Sequence, residues 1–244
     1  MFHPIRPFLQ PALRVESIQV LDLGCGTGLV AESFLKFYSH DLSMYLADPD
    51  AAMLEESRKK LSRLSQVQSF FCTSSESIPL PDVSLDFILI GSAWHWMNST
   101  ATITEIQRVL KPGGGVYVFE YQFPKTIEYA ELNNWIRIQF NSEWKPSTQK
   151  PRGSLKEITE CWRVHPQFSQ SYSGVVMQER LHDSHELAGV IISQSRYQHY
   201  EQSFPETEKT KIRHQLERKL DEFLSGSSGS FRYDYEGYFF KKRL

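Results

Sequence analysis

The sequence predicts an α/β protein: a doubly wound, mostly parallel sheet, closed by a final antiparallel strand and carrying an α-rich cap. Three observations predict it. Strand-like apolar runs alternate with helix-like segments through the first half, the pattern of parallel strands joined by crossover helices. Val20-Leu21-Asp22-Leu23-Gly24-Cys25-Gly26-Thr27-Gly28 reads as a buried strand that ends in an acid and runs into a glycine-rich turn, with a helix at once behind it. After Phe123 the alternation stops and tryptophans and prolines gather, as in a separate cap.

Taken in order, Ser17–Leu23 is the first strand and Leu29–Tyr38 the first crossover helix. Ser43–Ala47 is the second strand, ending at Asp48. Ala51–Leu64 is helical, with Met53, Leu54, Leu61 and Leu64 on its apolar side. Val67–Cys72 is the third strand. Leu85–Ile90 is the fourth, nearly all apolar, as expected of a strand covered on both faces. Ala101–Leu110 places Ile103, Ile106, Val109 and Leu110 at helical spacing. Lys111-Pro112-Gly113-Gly114-Gly115 reads as a sharp break, and Val116–Tyr121 as the fifth strand. Tyr172–Leu181 is a returning strand, and Leu187–Tyr200 and Pro205–Leu224 are helical. The second of these helices carries a stripe of Ile212, Leu216, Leu220 and Phe223. Ser225–Ser230 is a short flexible loop before a last strand, Phe231–Lys242. The division expected is a core over 1–124, a cap over 125–225 that includes the returning strand, and 226–244 completing the core sheet.

The chain has 244 residues, room for one substantial core plus a cap. A net charge of −2 gives no basic bias toward nucleic acid or anionic membrane. Cys25, Cys72 and Cys161 lack paired spacing and read as free thiols. No apolar run has the length of a membrane span, and Met1–Pro7 lacks the regions of a signal peptide. A cytoplasmic protein acting on a small molecule, without membrane or nucleic-acid partners, is the expectation; the oligomeric state is open. No metal is expected, since His182 and His185, placed at a surface helix start, have no third ligand at suitable spacing.

Three glycines at alternate positions leave room for a ligand against the backbone, and the turn aims helix-start N–H groups at it. The spacing is G-x-G-x-G, with Leu29 where a dinucleotide fold has its third glycine, and the Gly-Lys-Ser/Thr end of a phosphate loop is absent. A tight strand-to-helix turn with no ligand is the plain alternative. Asp48, at the tip of the second strand, stands where this class of fold binds ribose hydroxyls. The competing role, capping the next helix, falls to Asp50, which lies nearer to it. Gly91-Ser92-Ala93-Trp94-His95-Trp96-Met97 follows the fourth strand, at the end of the sheet where ligands sit.

These features together resemble the class I S-adenosylmethionine-dependent methyltransferases, a Rossmann-like fold. The hydrophobic-Asp-x-Gly-x-Gly-x-Gly stretch matches their motif I. The His95-Trp96 pair and Arg108-Val109-Leu110-Lys111-Pro112-Gly113-Gly114 are similar to the trans-aconitate methyltransferase branch of the type 11-like enzymes. The likeness covers about residues 17–121. It implies S-adenosyl-L-methionine as cofactor, held by Asp22, Gly24, Cys25, Gly26, Thr27, Gly28, Asp48, Pro49, Met53, Gly91 and Ser92. The backbone near Ser75 and Glu76 would lie beside the adenine, in a loop where the family often has an acid at the position of Ser74. Phe2 to Leu13 are the residues able to cover the cofactor. Trp94, His95, Trp96, Tyr121 and Trp135 are the substrate-side candidates. His95 has three readings: general base for a hydroxyl or amine acceptor, contact residue, or packing residue. Trp135, Trp144, Trp162 and Tyr172 either wall a substrate pocket or fill a small cap core. Arg180 and Arg196 are weaker candidates to meet a substrate carboxylate. The implied reaction is methyl transfer to a small molecule, with a carboxylate first among acceptors. A carrier-bound acyl group, a quinone precursor and a non-catalytic cofactor-binding or interaction module stand as alternatives.

Overall fold

The computed structural model describes residues 1–9, 17–38, 41–145 and 154–244. Five parallel strands come first: β1 (Ile18–Leu23), β2 (Leu42–Asp48), β3 (Val67–Cys72), β4 (Leu85–Gly91) and β5 (Leu110–Tyr121). Two long strands follow, β6 (Phe168–His182) and β7 (Gly229–Lys242), and the sheet order is β3-β2-β1-β4-β5-β7-β6. β1 pairs in parallel with β2 and β4, β2 with β3, and β4 with β5. β7 lies antiparallel to β5, with Glu120 opposite Glu236 and Tyr121 opposite Tyr235. The sheet is therefore the doubly wound, mostly parallel one expected, with an antiparallel final strand. The switch point, where the order turns outward from β1 to β4, puts the ends of those strands side by side.

The helices are α1 (Arg6–Leu9), α2 (Leu29–Phe37), α3 (Ala51–Leu61), α4 (Ser99–Val109) and α5 (Ala130–Asn141). They continue with α6 (Leu155–Ile158), α7 (Glu160–Val164), α8 (Ser184–Ile192), α9 (Ser195–Gln202) and α10 (Glu206–Leu224). The expected break at Lys111–Gly115 is a bulge inside β5. Leu85 pairs with Leu110 and Phe87 already with Gly115, so four residues loop out opposite Asp86, whose carboxylate accepts from Lys111 Nζ at 2.9 Å. The long helix expected over Leu187–Tyr200 is two, because the chain turns at Ser193 and Gln194 between α8 and α9.

Two compact units divide the chain: Met1–Tyr121 with Arg152–Val176 and Tyr235–Leu244, and Gln122–Pro151 with Met177–Asp234. This departs from the expected division of core, cap and final strand. Leu155 and Trp162, placed in the cap from sequence, belong to the first unit. Trp162 stacks on Phe240 of β7, with ring centroids 5.5 Å apart, and lies 5.1 Å from Trp94. Residues 146–153 of the expected cap lie outside the described residues.

Within the first unit the sheet has an apolar layer on each face. One gathers Val20, Phe34, Met44, Leu54, Leu61, Leu89, Tyr117 and Phe119, closed by Phe2, Ile5 and Leu9. So Phe2 to Leu9 cover a sheet face: Phe2 packs against Phe34 and Phe119, and Phe8 stacks on Phe239. Residues 10–13, the rest of the expected cofactor cover, lie outside the described residues. The other layer gathers Ile88, Ile90, Ile103, Ile106, Val116, Val118, Leu155, Trp162 and Phe240. Tyr172, a cap aromatic by sequence, packs on the first layer.

The second unit has its own aromatic core. Trp144 meets Trp135, Phe140 and Tyr197 edge-on, at centroid distances of 5.8, 5.1 and 5.1 Å. Trp135 also lies against Phe223 of α10. Of the four cap aromatics, Trp135 and Trp144 thus fill this core, whereas Trp162 and Tyr172 belong to the first unit. Arg213 grips the buried Glu201 carboxylate with two nitrogens, and Arg196 donates to the Phe140 carbonyl at 2.9 Å. His182 is not on a surface helix: it ends β6, is buried, and its Nε2 lies 2.6 Å from the Tyr233 hydroxyl. Asp183, next to it, caps α8 through a capping box with Glu186.

Candidate cofactor and catalytic site

β1 delivers Asp22 into the core and the chain at once into the turn. Asp22 is fully buried, and its Oδ2 accepts from the Ala31 N–H in the first turn of α2, at 3.0 Å. Its Oδ1 is buried with no hydrogen-bond partner. Burial is the main cause that pushes its carboxyl up to about 7; the Ala31 N–H opposes this and the Asp48 charge adds to it. Cys25 is buried too, and burial, with the Asp22 and Asp48 charges behind it, raises its thiol well above the ordinary range.

The three glycines do different things. A methyl group added at Gly24 would stand 2.5 Å from Ala93 Cβ, and Met97 closes in at 3.2 Å, so the turn after β4 lies directly on Gly24. Gly28 has φ +82°, and a methyl there would meet Leu61 and Ser57 of α3 at 2.8 and 2.9 Å. Only at Gly26 is the space open, with no atom within 4 Å. In the direction a side chain would take, the room expected at all three is found only at Gly26; at the other two that direction is filled by the chain itself. The helix-start N–H groups are likewise partly spent, since Ala31 gives its own to Asp22. Gly24 and Cys25 both donate to the Ala47 carbonyl.

Asp48 reaches over the open glycine. Its Oδ2 accepts from Gly26 N–H at 2.8 Å and its Oδ1 from Asp50 N–H at 2.9 Å. A carboxylate has about four acceptor positions, so two remain for a diol. Asp50 caps α3, as expected, accepting from Ala52 and Met53 N–H, and Pro49 carries the chain between the two acids. Ser75 is buried with its hydroxyl 2.7 Å from that of Thr102, and Glu76 accepts from Asn98 N–H at 3.2 Å. The loop beyond is clamped by α4. Arg108 donates to the carbonyls of Ile78 and Leu80 and to Asp82, while Glu105 accepts from Ile78 N–H.

At the end of β4 the core packs closely on Gly91: a methyl there would stand 2.6 Å from Val30 and 2.8 Å from Phe119. Ser92 takes a left-handed conformation, φ 54°, and donates its N–H to the Phe119 carbonyl. A non-glycine residue held so, next to a site, stores local strain. The 3₁₀ turn Trp94–Trp96 follows. Trp94, a substrate-side candidate by sequence, is instead a core residue: it is buried and its indole N–H donates to the Ile158 carbonyl at 2.6 Å. Trp96 is 67% exposed, its ring centroid 4.9 Å from that of His95. His95 Nδ1 lies 3.4 Å from Oε1 of Glu120, near the end of β5, with both side chains largely buried. Tyr121 packs beside Tyr235 at 5.9 Å. Glu120 escaped the sequence reading, although an acid closing the apolar run Val116–Phe119 at the carboxyl end of a strand is itself a signal.

Residues 21–118 match the family model described as a methyltransferase domain. Those residues carry a methyltransferase domain of the class I S-adenosylmethionine-dependent kind. The family's cofactor is S-adenosylmethionine, and the matched residues include the glycine turn, Asp48, Ser75, Glu76, His95 and Trp96 but not Glu120 or Tyr121. The chain is 38% identical over 96 residues to an uncharacterised methyltransferase of Mycobacterium bovis, covering 39% of this chain and 37% of that one. The ubiquinone/menaquinone biosynthesis C-methyltransferase UbiE of Shewanella frigidimarina is 30% identical over 166 residues, 66% of this chain and 65% of its own. Among solved structures, a methyltransferase fold from Anaeromyxobacter dehalogenans superposes with a TM-score of 0.63 at 16% identity, covering 97% and 94% of the two chains. The methyltransferase site fits its cofactor on three counts. Asp22 Oδ1 is a buried acceptor without a partner, Asp48 has acceptor capacity beside the turn, and Gly26 is open where a side chain would otherwise stand. Among the described residues no cluster of three metal-ligating side chains occurs, and no helix is long and apolar enough to cross a membrane.

Proposed function

We propose that this chain transfers a methyl group from S-adenosylmethionine to a small-molecule acceptor. The observation that carries the reading is the open glycine turn flanked by two strand-end acids. Asp48 would take the ribose hydroxyls on its remaining lone pairs. Asp22 would offer its unpartnered oxygen toward the cationic end, and Gly26, Thr27 and the backbone at Ser75 and Glu76 would line the rest. Cys25, Pro49, Met53 and Ser92 support this lining. When bound, the cofactor supplies an electrophilic methyl carbon on a positively charged sulfur. The chain's own share is to bind, to orient the acceptor and to exclude water. His95, Trp96 and Tyr121 are the acceptor-side residues of the first unit; Trp135, the other candidate, is taken up in the core of the second.

A second reading, methylation of a quinone precursor, is favoured by the 30% identity to the Shewanella C-methyltransferase. A small carboxylic acid, implied by the resemblance to the trans-aconitate branch, has no comparable support from the relatives found. Calorimetry with S-adenosylmethionine tests the common core of these readings. Binding is expected in the wild-type chain and a loss of at least tenfold in Asp48→Ala, since charge-assisted hydrogen bonds contribute about 1.5–3 kcal/mol. No binding at millimolar cofactor would leave only a non-catalytic module.

A further inference from the structure

Glu120 sits where a carboxylate is costly. The four residues before it, Val116 to Phe119, are all buried, and its own side chain is only 15% exposed. Glu236 stands directly opposite it on β7, but its Oε1 accepts from the Tyr238 hydroxyl at 2.8 Å. Glu120 Oε1 lies instead 3.4 Å from His95 Nδ1. The strand register makes this meeting: Gly91 pairs with Phe119, so the turn that leaves β4 passes over the residue after Phe119. No hydrogen bond joins these two atoms in this structure, yet a carboxylate charge this close to Nδ1 favours the tautomer with its proton there, leaving the lone pair on Nε2. Beside that ring lies the exposed face of Trp96, a flat apolar platform.

We infer that Glu120 is a positioning residue that holds His95 with its Nε2 as a general base. The acceptor is then a planar hydroxyl compound of the phenol type, bound against Trp96 and arriving with its proton on. This rests on the methyl-transfer reading above and names its acceptor class. In the step, the acceptor hydroxyl gives its proton to His95 Nε2 and its oxygen lone pair forms the bond to the methyl carbon. The carbon–sulfur bond breaks with its electron pair staying on sulfur, which becomes a neutral thioether. The proton remains on His95 as an imidazolium facing the Glu120 carboxylate until water removes it. A carboxylate acceptor is ionised at neutral pH and needs no such pair.

The test uses the full chain with ¹⁵N-labelled histidine. Long-range ¹H–¹⁵N spectra, with His95→Gln to assign the signals, report the tautomer. A single Nδ1–H form is expected in the wild type, a mixture in Glu120→Leu, and recovery of the single form in Glu120→Gln, whose amide oxygen still accepts. Calorimetry with S-adenosylmethionine on each variant shows that the fold and cofactor site are intact. Labelled methyl transfer is then followed to simple phenols and to benzoates of the same skeleton. Transfer to the phenols is expected, reduced by at least 100-fold in His95→Gln, the lower end of what general base catalysis contributes, and by roughly tenfold or more in Glu120→Leu. A tautomer that does not change in Glu120→Leu overturns the positioning role. Transfer to the benzoates alone, or to neither set while the cofactor binds, overturns the acceptor class. Failure of the wild-type chain to bind the cofactor refutes the methyl-transfer reading itself, a distinct outcome.

Discussion

Asp22 makes stability depend on pH in a direction opposite to that of most carboxylates. Its side chain is fully buried, and its carboxyl is pushed from 3.8 up to about 7. The folded chain therefore holds a proton at pH values where the unfolded chain has released it. That costs nothing below the unfolded value, grows as pH rises from about 4, and is complete above about 7. Linkage over the interval from pH 5 to pH 8 gives a loss of roughly 2–3 kcal/mol from this group. Asp22→Asn removes the titration and keeps an oxygen to accept from Ala31 N–H. Urea unfolding of both proteins at pH 5 and pH 8 is the assay. The wild type should lose about 2–3 kcal/mol more than the variant across that interval. Equal losses would mean that Asp22 is ionised in the folded chain throughout, and the account of its burial would be wrong.

Other consequences can be measured as directly. Gly28→Ala forces a side chain into a left-handed backbone and against Ser57 and Leu61; it should cost roughly 2–4 kcal/mol in urea unfolding. Arg108→Ala removes the donor to the carbonyls of Ile78 and Leu80 and the partner that holds Glu105 against Ile78 N–H, so amide exchange at Ile78 should accelerate by about tenfold or more, in line with about 1.5–3 kcal/mol for a hydrogen bond to a charged group. Burial holds His182 below its ordinary 6.5. The unfolded chain then binds that proton more readily, stability falls as pH drops below about 6.5, and His182→Asn should flatten this part of the profile in urea titrations.

Much of this was legible because it was local or doubly enforced. β4 announced itself by an apolar run that only two covered faces explain, and Asp50 by its place one residue before a helix. The pieces that stayed hidden depend on pairings between distant residues. Glu120 acquires meaning only when the β4–β5 register brings it beneath His95. The glycines after Lys111 read as a break because sequence does not show that β4 and β5 continue to pair across them. The two tryptophans flanking His95 looked equivalent. A 3₁₀ turn advances about 120° per residue, which sends Trp94 into the core and leaves Trp96 in solvent. Trp162 could not be allotted to a layer, since its partners Trp94 and Phe240 are 68 and 78 positions away in the chain (162 − 94; 240 − 162).

The contact of Gly24 with Ala93 bears on how such a chain can diversify. The turn after β1 and the turn after β4 are registered by two positions that carry almost no side chain. Nothing larger fits at 24 without parting the two loops. Position 96, three residues further on, faces outward from that fixed joint, whereas His95 is held against Glu120. Libraries should therefore tolerate wide variation at 96 and reject nearly all of it at 24, so that the surface beside the joint drifts while the joint itself is inherited unchanged.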